Sequence, residues 1–209
     1  PPYKPMWKKK KKKRGMAEVS STGDVNVSSF PGRAPGCGGF IDISQSARKV
    51  VFVGTFTSGG LQVRVGGGSG SGSSSGGGES SSGGGPLRLS IASEGRHPKF
   101  KGSVGEVTFA GSSAGGREIV YVTERAVFRL REREEEEEED GASPSVAAAS
   151  AAAAAGGRRR RRTTTTVVEL CEVAPGIDVE RDVLGRMAFR PAIPKEGVRV
   201  MDARVLEGV

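Results

Sequence analysis

Histidine is nearly absent from this 209-residue chain, His97 being the only one. That count excludes most histidine-based metal centres. It leaves any Ser/His/Asp triad resting on one residue in the polar stretch "EGRHPKF", where an exposed loop position is the plainer reading. Cysteine is almost as scarce. Cys37 and Cys171 lie far apart in unrelated contexts, which gives no disulfide framework and suits a reducing compartment. No metal site is expected. No apolar run reaches the roughly 18 residues that a membrane-spanning helix needs, and the alanine tract Ala147–Ala155 is too short and too weakly apolar to count. The basic opening "PPYKPMWKKKKKKRG" has no apolar region after it, so it does not read as a secretory signal, and no membrane partner is expected. The chain opens on Pro1 and not on Met, as a processed product or a fragment does, so upstream sequence is expected.

What abounds is simple sequence. Thirty-three glycines and long tracts of one or two residue types shrink the part of this 21.7 kDa chain that can build a core. One modest or incomplete domain is therefore the ceiling. The formal net charge of +8 lies mostly in runs: Lys8 to Arg14 carries +7, Arg158 to Arg162 +5 and Glu134 to Asp140 −7, which leaves +3 elsewhere. Blocks of like charge repel themselves and stay solvated, so this basicity belongs to tails and insertions and not to a binding face. No aromatic pattern for base stacking accompanies it, and no nucleic-acid partner is expected.

Composition divides the chain into a disordered basic tail over 1–14 and one partial domain over 15–209, interrupted by disordered insertions at about 66–86 and 131–162. Long insertions are tolerated where both ends of a surface loop already lie close together. "KVVFVGTF" (Lys49 to Phe56) is a continuous β-branched and aromatic run, the pattern of a strand buried on both faces in a parallel sheet. "LRLSIA", "EVTFAG", "EIVYVTERAVFRL" and "VVELCEVA" alternate as half-buried strands do. "AVFRL" and "VVELCEV" should pair as neighbours across a swollen tip loop. One helix is expected from Asp178 to Met187: Asp178 can cap it, Glu180 and Asp182 suit its positive end, and Val179, Val183, Leu184 and Met187 share a face. Gly185 weakens it. The whole reads as an α/β or mixed domain lacking part of its helical complement.

In "PGCGGF", Gly36, Gly38 and Gly39 surround one non-glycine, so the backbone can take positive φ and approach a ligand with amide N–H groups alone. If "IDISQSARK" turns or begins a helix there, those amides could face a negative oxygen or a phosphate. The spacing is neither G-x-G-x-x-G nor a P-loop, and a tight structural turn is the competing reading. Cys37 within the turn has no histidine near it in sequence, which favours space-filling over nucleophilic attack.

The segments "GDVNVSSFPGRAPGCGGFIDISQSARKVVFVGTFTSGGLQV", "REIVYVTERAVFRL", "VELCEVAPGIDVERDVLGRMAFRP" and "VMDARVL" together resemble the C-terminal portion of family I coenzyme A transferases of the acetate, propionate and 3-oxoacid type. The match covers nearly all the complex sequence in the right order, with the simple tracts between matching blocks. The resemblance implies an α/β CoA-transferase fold, C-terminal half, with a Rossmann-like, mostly parallel sheet. It implies an enzyme that moves CoA from a short-chain acyl-CoA to a free carboxylic acid through a glutamyl-CoA thioester, with coenzyme A as substrate and no other cofactor. Gly36, Gly38 and Gly39 would bind the CoA thioester and support the oxyanion. The glutamate nucleophile is expected upstream, and no catalytic residue is assigned in this chain. Glu18 matches a variable strand position. Glu124 matches a Thr-Glu pair that faces the active site in some relatives, while an ion pair with a neighbouring arginine is the plainer role. The resemblance also implies dimers or tetramers and a cytoplasmic or mitochondrial setting. The alternatives are a non-catalytic remnant or a subunit that folds only against a partner chain, and, ranked last, a basic nucleic-acid-binding protein.

Overall fold

The computed structural model describes residues 18–28, 36–67, 85–137 and 161–207. Along the chain they form β1 (Glu18–Val19), β2 (Val25–Asn26), the helix α1 (Phe40–Ser46), β3 (Lys49–Val53), β4 (Thr57–Ser58) and β5 (Gln62–Gly67). There follow β6 (Leu87–Ser93), β7 (His97–Pro98), β8 (Glu118–Val122), β9 (Ala126–Glu137), β10 (Arg161–Val173) and β11 (Arg199–Val200). The main sheet has the order β11-β10-β9-β8-β3, while β1–β2, β4–β7 and β5–β6 are two-stranded pairs.

Aromatic residues are few, and the core collects them. Phe52, Phe56, Phe100, Phe109, Tyr121 and Phe128 are all buried on one side of the sheet with Ile119, Val168 and Leu170. Phe52 stacks on Tyr121 with ring centroids 5.4 Å apart, and Phe100 lies 4.8 Å from Phe56 and 4.7 Å from Phe128. The Tyr121 hydroxyl donates to the Gly23 carbonyl at 2.6 Å, which satisfies the one polar atom this ring carries inward. Gly23 has φ +82°, a conformation that suits glycine. The β8–β9 hairpin closes through Thr123, whose Oγ1 accepts from Ala126 N–H at 3.0 Å.

The α/β class holds, but the sheet is mixed instead of mostly parallel. β3–β8 and β10–β11 are parallel, whereas β8–β9 and β9–β10 are antiparallel because each pair is joined as a hairpin. "AVFRL" and "VVELCEV" do pair as neighbours, in β9 and β10. β9 continues to Glu137 and β10 starts at Arg161, with Glu137 in register with Arg161. Residues 68–84 of the Gly/Ser tract and the tail over 1–14 lie outside the described residues. The strands flanking the tract, β5 and β6, pair from Gln62↔Ser93 to Gly67↔Leu87, so its two ends are brought together.

The strand expected to be buried on both faces is instead the last of its sheet. Val51 is 46% and Val53 64% exposed, because among the described residues nothing pairs beyond β3 or covers that face. Among the described residues "EVTFAG" forms one isolated bridge, Val25↔Phe109. Thr108 replaces further ladder bonds with its side chain, donating to the Val25 carbonyl at 2.7 Å and accepting from Val27 N–H at 3.0 Å. The expected helix after Asp178 is shorter and uneven: a wide helical turn over Val179–Val183 tightens over Leu184–Arg186, where Gly185 sits. Its cap is as expected, with Asp178 Oδ1 accepting from Arg181 N–H at 2.7 Å. Val183 is fully buried, and Val179, Leu184 and Met187 pack on the same core.

Candidate functional site

The glycine turn precedes α1. Gly36 and Gly38 have φ +79° and +60°, which a side chain would strain, and a Cβ at Gly36, Gly38 or Gly39 would meet nothing within 4 Å among the described residues. The glycines therefore serve the backbone's conformation and leave its surface open; they do not make room for a neighbouring side chain. Gly36 N–H donates to the Ser28 carbonyl at 3.2 Å and Phe40 N–H to the Cys37 carbonyl at 3.3 Å, while among the described residues no acceptor meets the N–H groups of Gly38 and Gly39. Gly39 begins α1 without a side-chain cap. The Phe40 ring is 5.8 Å from that of Phe52, so α1 doubles back along β3 and sets the turn toward the strand's C-terminal end.

Glu124 stands at the same edge, just past the C-terminal end of β8, the parallel neighbour of β3. Its carboxylate is committed: Oε1 accepts from Arg125 Nε at 2.7 Å and Oε2 from Phe56 N–H at 2.8 Å. Arg125 is fully buried. It donates from Nη2 and Nη1 to Glu94 at 2.5 and 3.1 Å and from Nη1 to the Asp182 carbonyl at 2.9 Å, with its guanidinium 4.7 Å from the Phe56 ring centre. Burial by itself would lower the Arg125 pKa, but the hydrogen bonds to Glu94 and Glu124 outweigh it and raise the value. Lys99 lies beside them, buried, with Nζ donating to Thr55 Oγ1 at 3.1 Å. Burial lowers its pKa against the pull of the Glu124 charge. Two carboxylates and two cations thus form a charge-balanced knot at the C-terminal edge of the parallel pair, and Glu124 takes the ion-pair role.

Sequence reasoning named Glu124 and an arginine neighbour but missed Glu94 and Lys99, which fall within "EGRHPKF", read for its histidine alone. Their pairing with residues 31 and more positions away carries no local signal. His97 is exposed, on β7. Cys37 is half-buried and Cys171 buried, both free. Glu18 is held in place: Lys101 Nζ and Asn26 Nδ2 donate to it, the latter at 3.0 Å, as does Gly105 N–H at 3.2 Å. Burial would raise its pKa, yet these hydrogen bonds bring it below its ordinary value.

A mixed sheet with a glycine turn at the C-terminal edge of its parallel pair defines an α/β architecture. No protein-family model matches the chain. It is 34% identical over 192 residues, 91% of its length, to the acetate CoA-transferase YdiF of Escherichia coli O157:H7. It is 34% identical over 196 residues to the caffeate CoA-transferase of Acetobacterium woodii. Among solved structures, the acyl-CoA transferase YdiF apoenzyme from Escherichia coli O157:H7 superposes with a TM-score of 0.63 at 32% identity, over 93% of this chain and 28% of that one. The chain spans about a quarter of the length of the curated relatives it matches, 26% and 27%. In sequence and in fold, then, it matches a portion of the family I CoA-transferases.

Proposed function

We propose that this chain is the C-terminal part of a CoA-transferase that moves CoA from a short-chain acyl-CoA to a free carboxylic acid. The observation that carries the reading is the glycine turn: its positive-φ backbone is open to a ligand and set at the C-terminal edge of the parallel strands, where open α/β sheets take their ligands. On this reading a glutamate elsewhere in the polypeptide attacks the thioester carbonyl and the CoA thiolate leaves, giving an acyl-glutamyl anhydride. The thiolate then attacks the glutamyl carbonyl and expels the acyl group as a carboxylate, leaving a glutamyl-CoA thioester. Each attack places negative charge on a carbonyl oxygen, and backbone N–H groups at Gly38 and Gly39 are suited to stabilise it.

The test is a Gly38→Val variant of the polypeptide that carries this chain, assayed for CoA transfer from acetyl-CoA to propionate. The reading requires kcat to fall by about 100-fold, the cost of losing an oxyanion donor, because a β-branched residue strained at φ +60° turns the amide away, while stability falls by only the cost of that strain, about 1–3 kcal/mol. Unchanged kcat would remove the turn from the chemistry. A second reading, a subunit that functions only when packed against further protein, is favoured by the exposed Val51 and Val53 on β3.

A further inference from the structure

The strands β8 and β9 are paired only from Val120↔Arg129 to Val122↔Val127. Beyond that they part: Glu118 and Ile119 stay with β3, while β9 runs on beside β10. The fork holds an open cavity of about 360 Å³, lined among others by Gly116, Arg117, Glu118, Arg129, Arg131 and Glu132.

The charged groups around this cavity are hydrogen-bonded or ion-paired within the chain, and the Arg129 charge itself acts on the Glu118 carboxylate, adding to the Lys49 hydrogen bond in lowering its pKa; what stays open is one donor atom. Arg117 spends its guanidinium on the carbonyls of Ala114, Ser44, Gln45 and Ser113, at 2.6 to 3.0 Å. Glu118 pairs with Lys49 at 2.9 Å, Arg131 with Glu169 at 3.1 Å, and Glu132 accepts from Gly116 N–H at 2.9 Å, which ties the two arms of the fork together. At the apex, Arg129 Nε is buried and among the described residues has no hydrogen-bond partner. An orphaned donor on a permanently charged group is uncommon in a folded chain, and a guanidinium edge matches the paired oxygens of a carboxylate or phosphate.

We propose that the β8–β9 fork is a binding site for a small oxyanion, a carboxylate or a phosphate, with Arg129 as its charged donor. The carboxylates of Glu118 and Glu132 at its rim oppose a multiply charged ligand, so the site is weak. The site stands apart from the glycine turn and does not depend on the CoA-transferase reading.

The full chain, labelled with ¹⁵N, is titrated at constant ionic strength with inorganic phosphate and, separately, with acetate, following the Arg129 Nε–Hε resonance, with sodium chloride as the reference. A saturable shift with either anion supports the site, and which anion saturates at lower concentration separates phosphate from carboxylate chemistry. Arg129→Lys, which keeps the charge but lacks Nε, should weaken binding at least about tenfold. Arg204→Gln, remote and exposed, should leave it within about twofold. The proposal is overturned by a response no different from that to chloride, or by undiminished binding in Arg129→Lys. Should that variant fail to fold, the titration of the unaltered chain decides by itself.

Discussion

Replacing Arg125 with methionine would leave the carboxylates of Glu94 and Glu124 facing a buried apolar side chain beneath Phe56. Removing one partner from a buried ion cluster costs about 3–5 kcal/mol, because the remaining charges lose their compensation. Arg125→Met should therefore lower the unfolding free energy by that amount, read as a lower denaturant midpoint at constant slope. The quadruple change Glu94→Gln, Lys99→Met, Glu124→Gln, Arg125→Met, which leaves no charge behind, should recover much of the loss, and an Arg125→Met chain as stable as the original would refute the knot's structural role. Glu18 gives a pH signature. Its folded pKa lies below its ordinary value near 4.5, so the stability it contributes is present above that value and is lost as pH falls through the depressed folded value. Glu18→Gln should cost about 1.5 kcal/mol at pH 7. Parallel thermal melts should show this difference from the unaltered chain shrinking below pH 4.5. A difference that stays constant into acid would contradict the assignment.

At the scale of elements, Asp178 holds the start of the turn that buries Val183, and Asp178→Ala should cost about 1 kcal/mol, read from the denaturation midpoint. β3 makes the opposite kind of prediction. Its one lysine, Lys49 at the first position, is paired with Glu118, and the rest of the strand carries no lysine, proline or bulge of the kind by which exposed edges avoid pairing. Val53→Lys should accordingly reduce self-association in sedimentation with little loss of melting temperature, and an unchanged sedimentation profile would show that this face is not what associates. How much of this was legible in the sequence follows from range. Asp178 and its apolar partners are local, so cap and buried face could be read directly, as could the β9–β10 pairing, whose alternation resumes on both sides of the simple tract. The burial of β3 could not be read, because an unbroken apolar run says what a strand can bury and not what its neighbours cover. The glycine turn showed its conformational freedom but not its place at the edge of the parallel pair, which depends on α1 folding back so that Phe40 meets Phe52. Glu94 and Lys99 reach Arg125 and Thr55 across long separations in the chain, and no spacing rule links them.

At the scale of the whole molecule, the described residues form one core of buried aromatic residues, a five-stranded sheet whose terminal strand none of them covers, and an open glycine turn. The chain spans about a quarter of the length of the relatives it matches. On the proposed reading the turn and the charge-balanced knot form one wall of a thioester site whose nucleophile lies in further sequence. The most direct test is the intact mass of the native polypeptide, captured with an antibody to "APGIDVERDVLGRM" (Ala174 to Met187) and incubated with acetyl-CoA. The account predicts a polypeptide heavier than 21.7 kDa that gains the mass of coenzyme A less one water, the signature of a glutamyl-CoA thioester. A polypeptide of 21.7 kDa that gains nothing and transfers no CoA would contradict it.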